Sequence, residues 1–489
     1  MIRLTLVINI TGFLLILLSF FMPMGIIFSL YYGDQDIVAL LASSVITALS
    51  GFIMWLVTGG KRHDFNQVRK RDGYVIVFLS WILISAFGAL PYIVYGSIPS
   101  FTDAFFETMS GFTTTGASIL NNIENMPHGL LFWRSMTHWL GGMGIIVLTL
   151  AVLPLLGVSG AQLFGAESSA ASTDKIHPHV QGTAKRLWGI YALLTILQAL
   201  LLFCGGMSVF DAICHAFGTL STGGFSTRQD SIAAWDSAYI QYVIIIFMFL
   251  GGTNFSMHYF IIHGRLRQVF RDEEFRFYFS TTAIVSILMA VVVFSYTPAG
   301  VEQSFRDASF QVVSLITSTG FVSANYETWA PFTPYIFLLL MFTGASAGST
   351  TGAIKMIRLL LLVKASFAEL KRLIHPNAIV SVRINGRAVA RSVIDNVFSF
   401  FILYILIFIA ASIIMSFEPA FAESPLHSAL SAVASTLGCM GPGLGVVGPV
   451  NNYALVSDGG KWLLSLMMML GRLEIYTVFI IFTPSFWRV

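Results

Sequence analysis

Long apolar runs separated by short polar interruptions occupy almost the whole of the 489-residue chain. Uninterrupted stretches fall at 4–31, 37–58, 75–95, 187–202, 239–250 and 393–414. About 20 apolar residues are enough to cross a bilayer as a helix. The pattern therefore predicts an all-α polytopic membrane protein whose soluble parts are short loops. Between the long runs lie four shorter apolar segments that resemble one another. Each opens with Asp or Ser followed by Ala and reaches a glycine thirteen residues after the opening residue: Asp103-Ala104 to Gly116, Asp211-Ala212 to Gly224, Asp307-Ala308 to Gly320, and Ser428-Ala429 to Gly441. Self-similarity at intervals of roughly a hundred residues marks one unit used four times.

The first of these segments, 103–112, has ten residues. As a helix it is about 15 Å long, half of the roughly 30 Å hydrocarbon core, so it must re-enter. Irregular backbone is tolerated at that depth only where it is buried in protein or lines a wet cavity. Each repeat is predicted to hold a spanning helix, a half-helix, a glycine turn and a second spanning helix. Two crossings return the chain to its starting side, so the four copies share one orientation. Their arrangement is a pseudo-fourfold ring about the membrane normal, unlike the inverted repeats of many secondary transporters. The second helices align as well, with Leu140-Gly141-Gly142, Leu250-Gly251-Gly252, Thr343-Gly344-Ala345 and Leu470-Gly471-Arg472 lying 25, 27, 24 and 30 residues beyond the turn glycine. The expected organisation is an N-terminal transmembrane hairpin at 1–60, then pore repeats at 73–157, 184–264, 275–375 and 391–489.

Composition narrows the class. The chain is 56% hydrophobic and 10% charged, about half the charge of an ordinary soluble domain, which leaves no room for a separate cytosolic catalytic domain. A net charge of +3 implies no nucleic-acid partner. Basic clusters at Lys61, Arg62, Arg69, Lys70 and Arg71, at Lys185 and Arg186, at Arg265, Arg267, Arg271 and Arg276, and from Lys355 through Arg391 alternate with acidic loops. The positive-inside rule makes the basic loops and the N-terminus cytoplasmic. The first apolar run is too long for a signal peptide and lacks a small-residue cleavage site. Three cysteines, Cys204, Cys214 and Cys439, show neither a disulfide framework nor metal-ligand spacing. Zinc-protease and phosphate-loop signatures are absent, so any nucleotide control must come from another subunit.

The turns themselves read TTTGAS, STGGFS, TSTGFV and GCMGPG. Glycine at 116, 224, 320 and 441 permits backbone angles a side chain forbids. Carbonyls of Thr114, Thr115, Thr222, Gly223, Ser318, Thr319, Cys439 and Met440 would then face a common axis, joined by the negative ends of four half-helix dipoles. Such a ring suits a dehydrated cation. Loop punctuation or close helix packing explains one such glycine but not four in register. In repeat three the run TGASAGSTTGA (343–353) predicts an irregular loop beneath the ring, with small-residue helix packing as the alternative. Arg472, inside an apolar helix, is a functional candidate by its depth. Its charge would oppose a cation, and its donors could hold the repeat-three loop closed; an ion pair with another helix is the alternative. Glu474 lies on another face and is not its partner. His138 and His258 read as buried polar glue.

The four TTGAS-like turns, GASAGSTTGAIKMIR (344–358) and MLGRLEIYTVFIIF (469–482) together resemble the Trk/Ktr/HKT superfamily of potassium transporters, over practically the whole chain, and its bacterial TrkH/TrkG branch in particular. The resemblance implies a homodimeric potassium-uptake protein of the bacterial inner membrane, with four M1-P-M2 repeats and a cytosolic TrkA-type subunit that binds nucleotides and NAD(H). It implies no cofactor and no enzymatic activity; potassium is cargo. By position, the implied filter is Thr114, Thr115, Gly116 and Ala117; Thr222, Gly223, Gly224 and Phe225; Ser318, Thr319, Gly320 and Phe321; and Cys439, Met440, Gly441 and Pro442. The implied gate is Gly344, Ala345, Ser346, Ala347, Gly348, Ser349, Thr350, Thr351 and Gly352 with Arg472. Gly438-Cys439-Met440 departs from the Thr/Ser pattern. Most strands carry one glycine where a potassium channel has two, so the expectation is potassium and rubidium over sodium, less sharply than in a dedicated channel. Relatives with Ser at the first filter glycine tend toward sodium, and this chain has Gly116. Two other classes compete: an intramembrane enzyme acting on lipid or isoprenoid, which needs ionisable groups converging at depth, and a non-conducting assembly or sensor subunit.

Overall fold

The computed structural model describes residues 3–58, 70–151, 180–378 and 380–488. Positions 59–60 of the hairpin, 152–157 of the first repeat, and the basic residues Lys61, Arg62 and Arg69 lie outside the described residues. Among the described residues six helices are long and apolar enough to cross a membrane, or eight if two sharply bent pairs are counted as spans. The chain is a multi-pass, all-helical membrane protein with one two-stranded β-hairpin, Arg383–Ile384 with Arg387–Ala388.

The N-terminal pair runs from Leu4–Phe21 through a 3-10 turn at Met22–Gly25, where Pro23 interrupts the helix, into Ile26–Tyr32, and returns as Ile37–Val57. Gly12 and Gly51 let the two backbones touch: a side chain on Gly51 would meet the Gly12 carbonyl oxygen at 2.6 Å, and one on Gly12 the Gly51 carbonyl at 2.8 Å. Small residues serve this purpose where lipid supplies no hydrophobic drive between helices. Gly51→Leu is accordingly expected to destabilise the hairpin by about 1–3 kcal/mol, read as a lower unfolding midpoint of the detergent-purified protein. The turn of the pair docks on repeat one. Asp34 and Asp36 accept the His128 and Leu130 backbone N–H groups at 2.7 and 2.9 Å, placing carboxylates at the N-terminus of the helix His128–Ala151.

Four units follow. Their first helices are Lys70–Gly88, Val180–Cys204, Glu273–Tyr296 and Arg391–Met415, beginning at or a few residues before the expected boundaries; the third has a polar cap. Asp272 accepts the Phe275 N–H at 2.9 Å and binds Asn385 of the β-hairpin at 2.7 Å; burial raises its carboxyl above the ordinary value. The half-helices are Phe101–Phe112, Val209–Leu220, Val301–Ile316 and Pro425–Leu437. The first starts two residues earlier than the sequence suggests, because Ser100 is its cap and Asp103 sits in the first turn. Ser208 and Asp211 repeat that arrangement, a serine cap that satisfies a free N–H group at a helix start. The alanine of each opening pair, Ala104, Ala212, Ala308 and Ala429, is buried.

The second helices depart from the expectation of a single break in repeat three. Ala238–Gly252 bends by 106° into Phe255–Ile262, and Asp458–Arg472 bends by 116° into Ile475–Phe482. Repeat three separates Thr333–Leu340 from Met356–Ile374 by the loop. Arg472 is thus the last residue of its helix rather than an interior one. The helix His128–Ala151 of repeat one runs without such a break. The aligned glycines bring each second helix onto its own half-helix: side chains on Gly141 and Gly471 would meet the Phe112 and Leu437 carbonyls at 2.0 and 2.1 Å, and one on Gly251 the Leu220 carbonyl at 3.3 Å. In repeat three Gly344 faces Gly352 within the loop instead.

Candidate ion-conduction site

Each half-helix ends in the same backbone figure. Thr114, Thr222, Ser318 and Cys439 adopt left-handed φ of 52°, 54°, 49° and 51°, and two residues later Gly116, Gly224, Gly320 and Gly441 adopt 83°, 82°, 77° and 97°. Left-handed angles are costly for residues other than glycine, so four in register are held by their surroundings. Part of that hold is a shared hydrogen bond. Thr115, Gly223, Thr319 and Met440 each donate a backbone N–H at 2.8 Å to the carbonyl five residues back, on Ser110, Gly218, Ser314 and Ser435. Repeat four, despite Cys439 and Met440, keeps the same geometry as the others.

The four turns meet in one closed ring. A side chain on Gly116 would strike the Gly223 carbonyl oxygen at 2.1 Å, one on Gly224 the Thr319 carbonyl at 1.9 Å, one on Gly320 the Met440 carbonyl at 1.9 Å, and one on Gly441 the Thr115 carbonyl at 2.8 Å. The order runs from repeat one to two, three, four and back to one. The surrounding loops close the same circle, through Gln229 to Leu120, Ile232 to Val322, Tyr326 to Gly443 and Tyr453 to Ser118. Lys461 of repeat four adds an ion pair with Asp103 of repeat one at 2.6 Å.

Not every expected carbonyl faces the ring. Phe321 offers its carbonyl to Ser314 Oγ at 2.8 Å, and Gly441 offers its own to Ser435 Oγ at 2.7 Å and Tyr453 OH at 2.9 Å. A serine seven residues after the opening residue turns these oxygens back toward the half-helix. Ala117, Phe225 and Phe321 are buried behind the turns, and Pro442 Cδ packs beside Gly320.

Beneath the ring lies the irregular segment of repeat three. Its neck is closed by Gly344 N–H to Ile354 O at 2.8 Å and Met356 N–H to Ala345 O at 3.0 Å. Ser346 donates to Gly252 O, and Gly348 O accepts from Phe255 N–H. Ala347 N–H donates to the buried Glu274 carboxylate at 2.6 Å. At the tip, Thr350 Oγ1 lies 3.2 Å from Thr222 Oγ1 and donates to Leu220 O at 3.0 Å. Gly352 donates to Ser318 Oγ at 2.8 Å, and a side chain on Gly352 would meet Gly438 O at 2.4 Å. Ser349 and Thr351 pair with each other at 2.8 Å, and Lys355 reaches Thr351. Arg472 donates to Thr350 O at 2.6 Å and to Gly141 O at 2.9 Å. The loop thereby touches the undersides of turns two, three and four, and Arg472 ties it to repeat one.

A model of the TrkH family, described as a cation transport protein, matches residues 43–488. The chain belongs to the TrkH family. TrkH-family relatives include the Trk system potassium uptake protein TrkH of Salmonella typhimurium, 40% identical and covering 98% of each chain, and TrkG of Escherichia coli strain K12, 34% identical over 98% of this chain and 97% of that one. The crystal structure of the potassium transporter TrkH from Vibrio parahaemolyticus superimposes with a TM-score of 0.89 at 35% identity, covering both chains completely. The family is one of transporters, not enzymes.

In this TrkH-family chain several side chains around the ring escaped the sequence reading. Each half-helix sends a polar group to the strand just beyond its turn glycine: Glu107 to Ser118 and Ile119, His215 to Ser226, Gln311 to Ser323, and Ser431 to Leu444. Three of the four sit four residues after the opening Asp, a polar position recurring in apolar helices, and that recurrence was the available signal. His138 bridges repeats, its Nδ1 facing Gly111 O at 2.8 Å while Nε2 accepts the Phe225 N–H at 3.2 Å; this pairing fixes a neutral Nδ1–H ring. His258 holds Leu250 O at 2.9 Å. Glu474 pairs with Arg358 at 2.8 Å, not with Arg472.

Proposed function

We propose that the protein takes up potassium, and rubidium in its place, through the ring of turn carbonyls, with the repeat-three loop and Arg472 as the gate. The closed ring of four glycine turns carries this reading. A cation shedding water needs several oxygens at fixed positions, and the contacts from Gly116 around to Gly441 supply such a set without an intervening side chain. The relatives named as potassium uptake proteins support the choice of ion.

The loop occupies the inner side of the ring, so the described geometry corresponds to a closed gate. Arg472 sets a buried positive charge there, which opposes a cation by simple Coulomb repulsion in a medium of reduced dielectric. Opening requires Thr350 and Gly352 to release Thr222 and Ser318.

The family resemblance supports a homodimer regulated by a cytosolic TrkA-type subunit, and the relatives' designation as parts of a Trk system fits a multi-component assembly. The same resemblance supports placement in the bacterial inner membrane, and the charge pattern supports a cytoplasmic N-terminus. Arg3 N–H binds Asp72 at the start of the first helix of repeat one, and Arg71 reaches Arg488 O. Both chain ends therefore lie on the side where that helix begins, and the repeats share that orientation and its basic loops.

Purified protein in liposomes is expected to pass rubidium, with competition by potassium but not by equal sodium. Absence of flux with and without a nucleotide-binding partner would favour the sensor reading, and equal sodium competition would remove the selectivity claim. Potassium flux under an imposed proton gradient distinguishes passive from coupled transport.

A further inference from the structure

One charged pair behind the ring is left without a task by conduction and gating. Arg134 Nε donates to Glu107 Oε1 at 2.7 Å, with both side chains almost wholly out of water. Glu107 also accepts from Ser118 Oγ at 3.0 Å and from the Ile119 N–H at 2.9 Å, two and three residues beyond Gly116. On its other side Arg134 donates to Ser226 O at 2.9 Å, two residues beyond Gly224, and its guanidinium lies 3.5 Å from the centre of the Phe225 ring. One ion pair therefore grips the outgoing strands of two neighbouring turns.

At the equivalent half-helix position the other repeats carry neutral groups, His215, Gln311 and Ser431. Carboxylates also reach these stretches, Asp211 at Thr227 and Glu327 at Gly445, but among the described residues Glu107–Arg134 is the pair that spans two of them. Charge-assisted bonds from a planar guanidinium are shorter, stronger and more directional than those of neutral groups. A buried pair is also unforgiving, because removing one partner strands a charge in a medium that cannot solvate it. Where cavity size sets the preference for potassium over the smaller sodium, the ring oxygens must be held rather than free to close on the smaller ion.

We infer that the Glu107–Arg134 pair is a specificity-determining clamp, holding the ring open to potassium size where repeats one and two meet. The inference rests on reading the four turns as the filter. Arg134 and Glu107 touch no ion and act as positioning residues.

The test compares rubidium and sodium flux per folded protein in liposomes. Arg134→Lys keeps the charge but loses the fork that reaches Ser226 and stacks on Phe225, and is expected to lower the rubidium-to-sodium ratio about tenfold while rubidium flux persists. Glu107→Gln strands the guanidinium and is expected to cut rubidium flux as well. The neutral pair Glu107→Gln with Arg134→Gln should recover rubidium flux without recovering discrimination. Ser118→Ala, a change too small to threaten folding, should lower the ratio modestly in the same direction. A parental ratio in both Arg134→Lys and Ser118→Ala overturns the clamp, as does a double variant whose losses simply add. If Gly116→Asp is inactive while those ratios are parental, only the clamp fails; if Gly116→Asp also transports normally, the filter reading fails with it.

Discussion

Gly116→Asp and Gly441→Asp are each expected to abolish rubidium uptake in cells lacking other potassium transport, by on the order of a hundredfold or more. Three effects act together at Gly116. The left-handed angle of 83° costs an L-residue about 1–2 kcal/mol. The added Cβ would lie 2.1 Å from the Gly223 carbonyl oxygen, a backbone atom that cannot swing aside. The carboxylate would then stand within the ring, where it either binds the cation too tightly to release it or displaces the carbonyls. Since each 1.4 kcal/mol is a factor of ten, these effects exceed two decades. Gly33 is the control: it too is left-handed, at 77°, but has nothing within 4 Å of an added Cβ. Gly33→Asp should keep uptake at equal protein levels. Normal uptake by Gly116→Asp and Gly441→Asp would remove these turns from the conduction path.

Arg472→Ala is expected to raise flux in the absence of any activating partner, by about ten- to a hundredfold. The variant removes two bonds from a charged donor, to Thr350 O and Gly141 O, each worth about 1.5–3 kcal/mol where buried. It also removes a positive charge below the ring, so the barrier to a cation falls with the loop still in place. Loss of the Thr350 bond shifts the loop toward positions away from the ring, and a shift of about 3 kcal/mol changes a two-state ratio roughly a hundredfold. Shortening the loop within 346–351 should raise flux by the second effect alone, because the neck bonds at Gly344 and Met356 lie outside the deletion. Unchanged flux in both variants would take the gate away from these residues, and reduced flux in Arg472→Ala would assign the arginine a supporting role instead.

How much of this was legible depended on range along the chain. The thirteen-residue spacing from opening residue to glycine is local, because a half-helix of fixed length and its turn together set it. The opening Asp and Ala could be recognised without knowing their tasks: Asp103 and Asp211 sit in the first turn and donate their N–H groups to the capping Ser100 and Ser208, and all four alanines pack closely. The bends at 253–254 and 473–474 were not legible. Apolar residues continue on both sides, and hydropathy does not distinguish a straight helix from one turned by more than 100°. Asn254 as a cap and the left-handed Glu474 mark the breaks only once the backbone is known.

The site shows the same division. Arg472 announced itself as a charge in an apolar stretch, yet its acceptors, Thr350 and Gly141, are 122 and 331 residues away in sequence. Nothing local to Glu107 indicates Arg134, or that Arg134 would cross to the next repeat. The sign of each carbonyl was likewise hidden: Phe321 O and Gly441 O turn to serines of their own half-helices, a choice made by side-chain reach rather than by the turn sequence.

The sequence by itself determined that the chain spans a membrane several times and that one segment ending in a glycine turn occurs four times, and it predicted a ring of those turns, because apolar length and period are properties of the chain alone. Only the tertiary structure decided which carbonyl each turn glycine meets in the neighbouring turn, that three of four second helices break, and which donors hold the loop beneath the ring. Those outcomes depend on backbone carbonyls from different repeats approaching to contact, and such an approach leaves no trace in the order of residues.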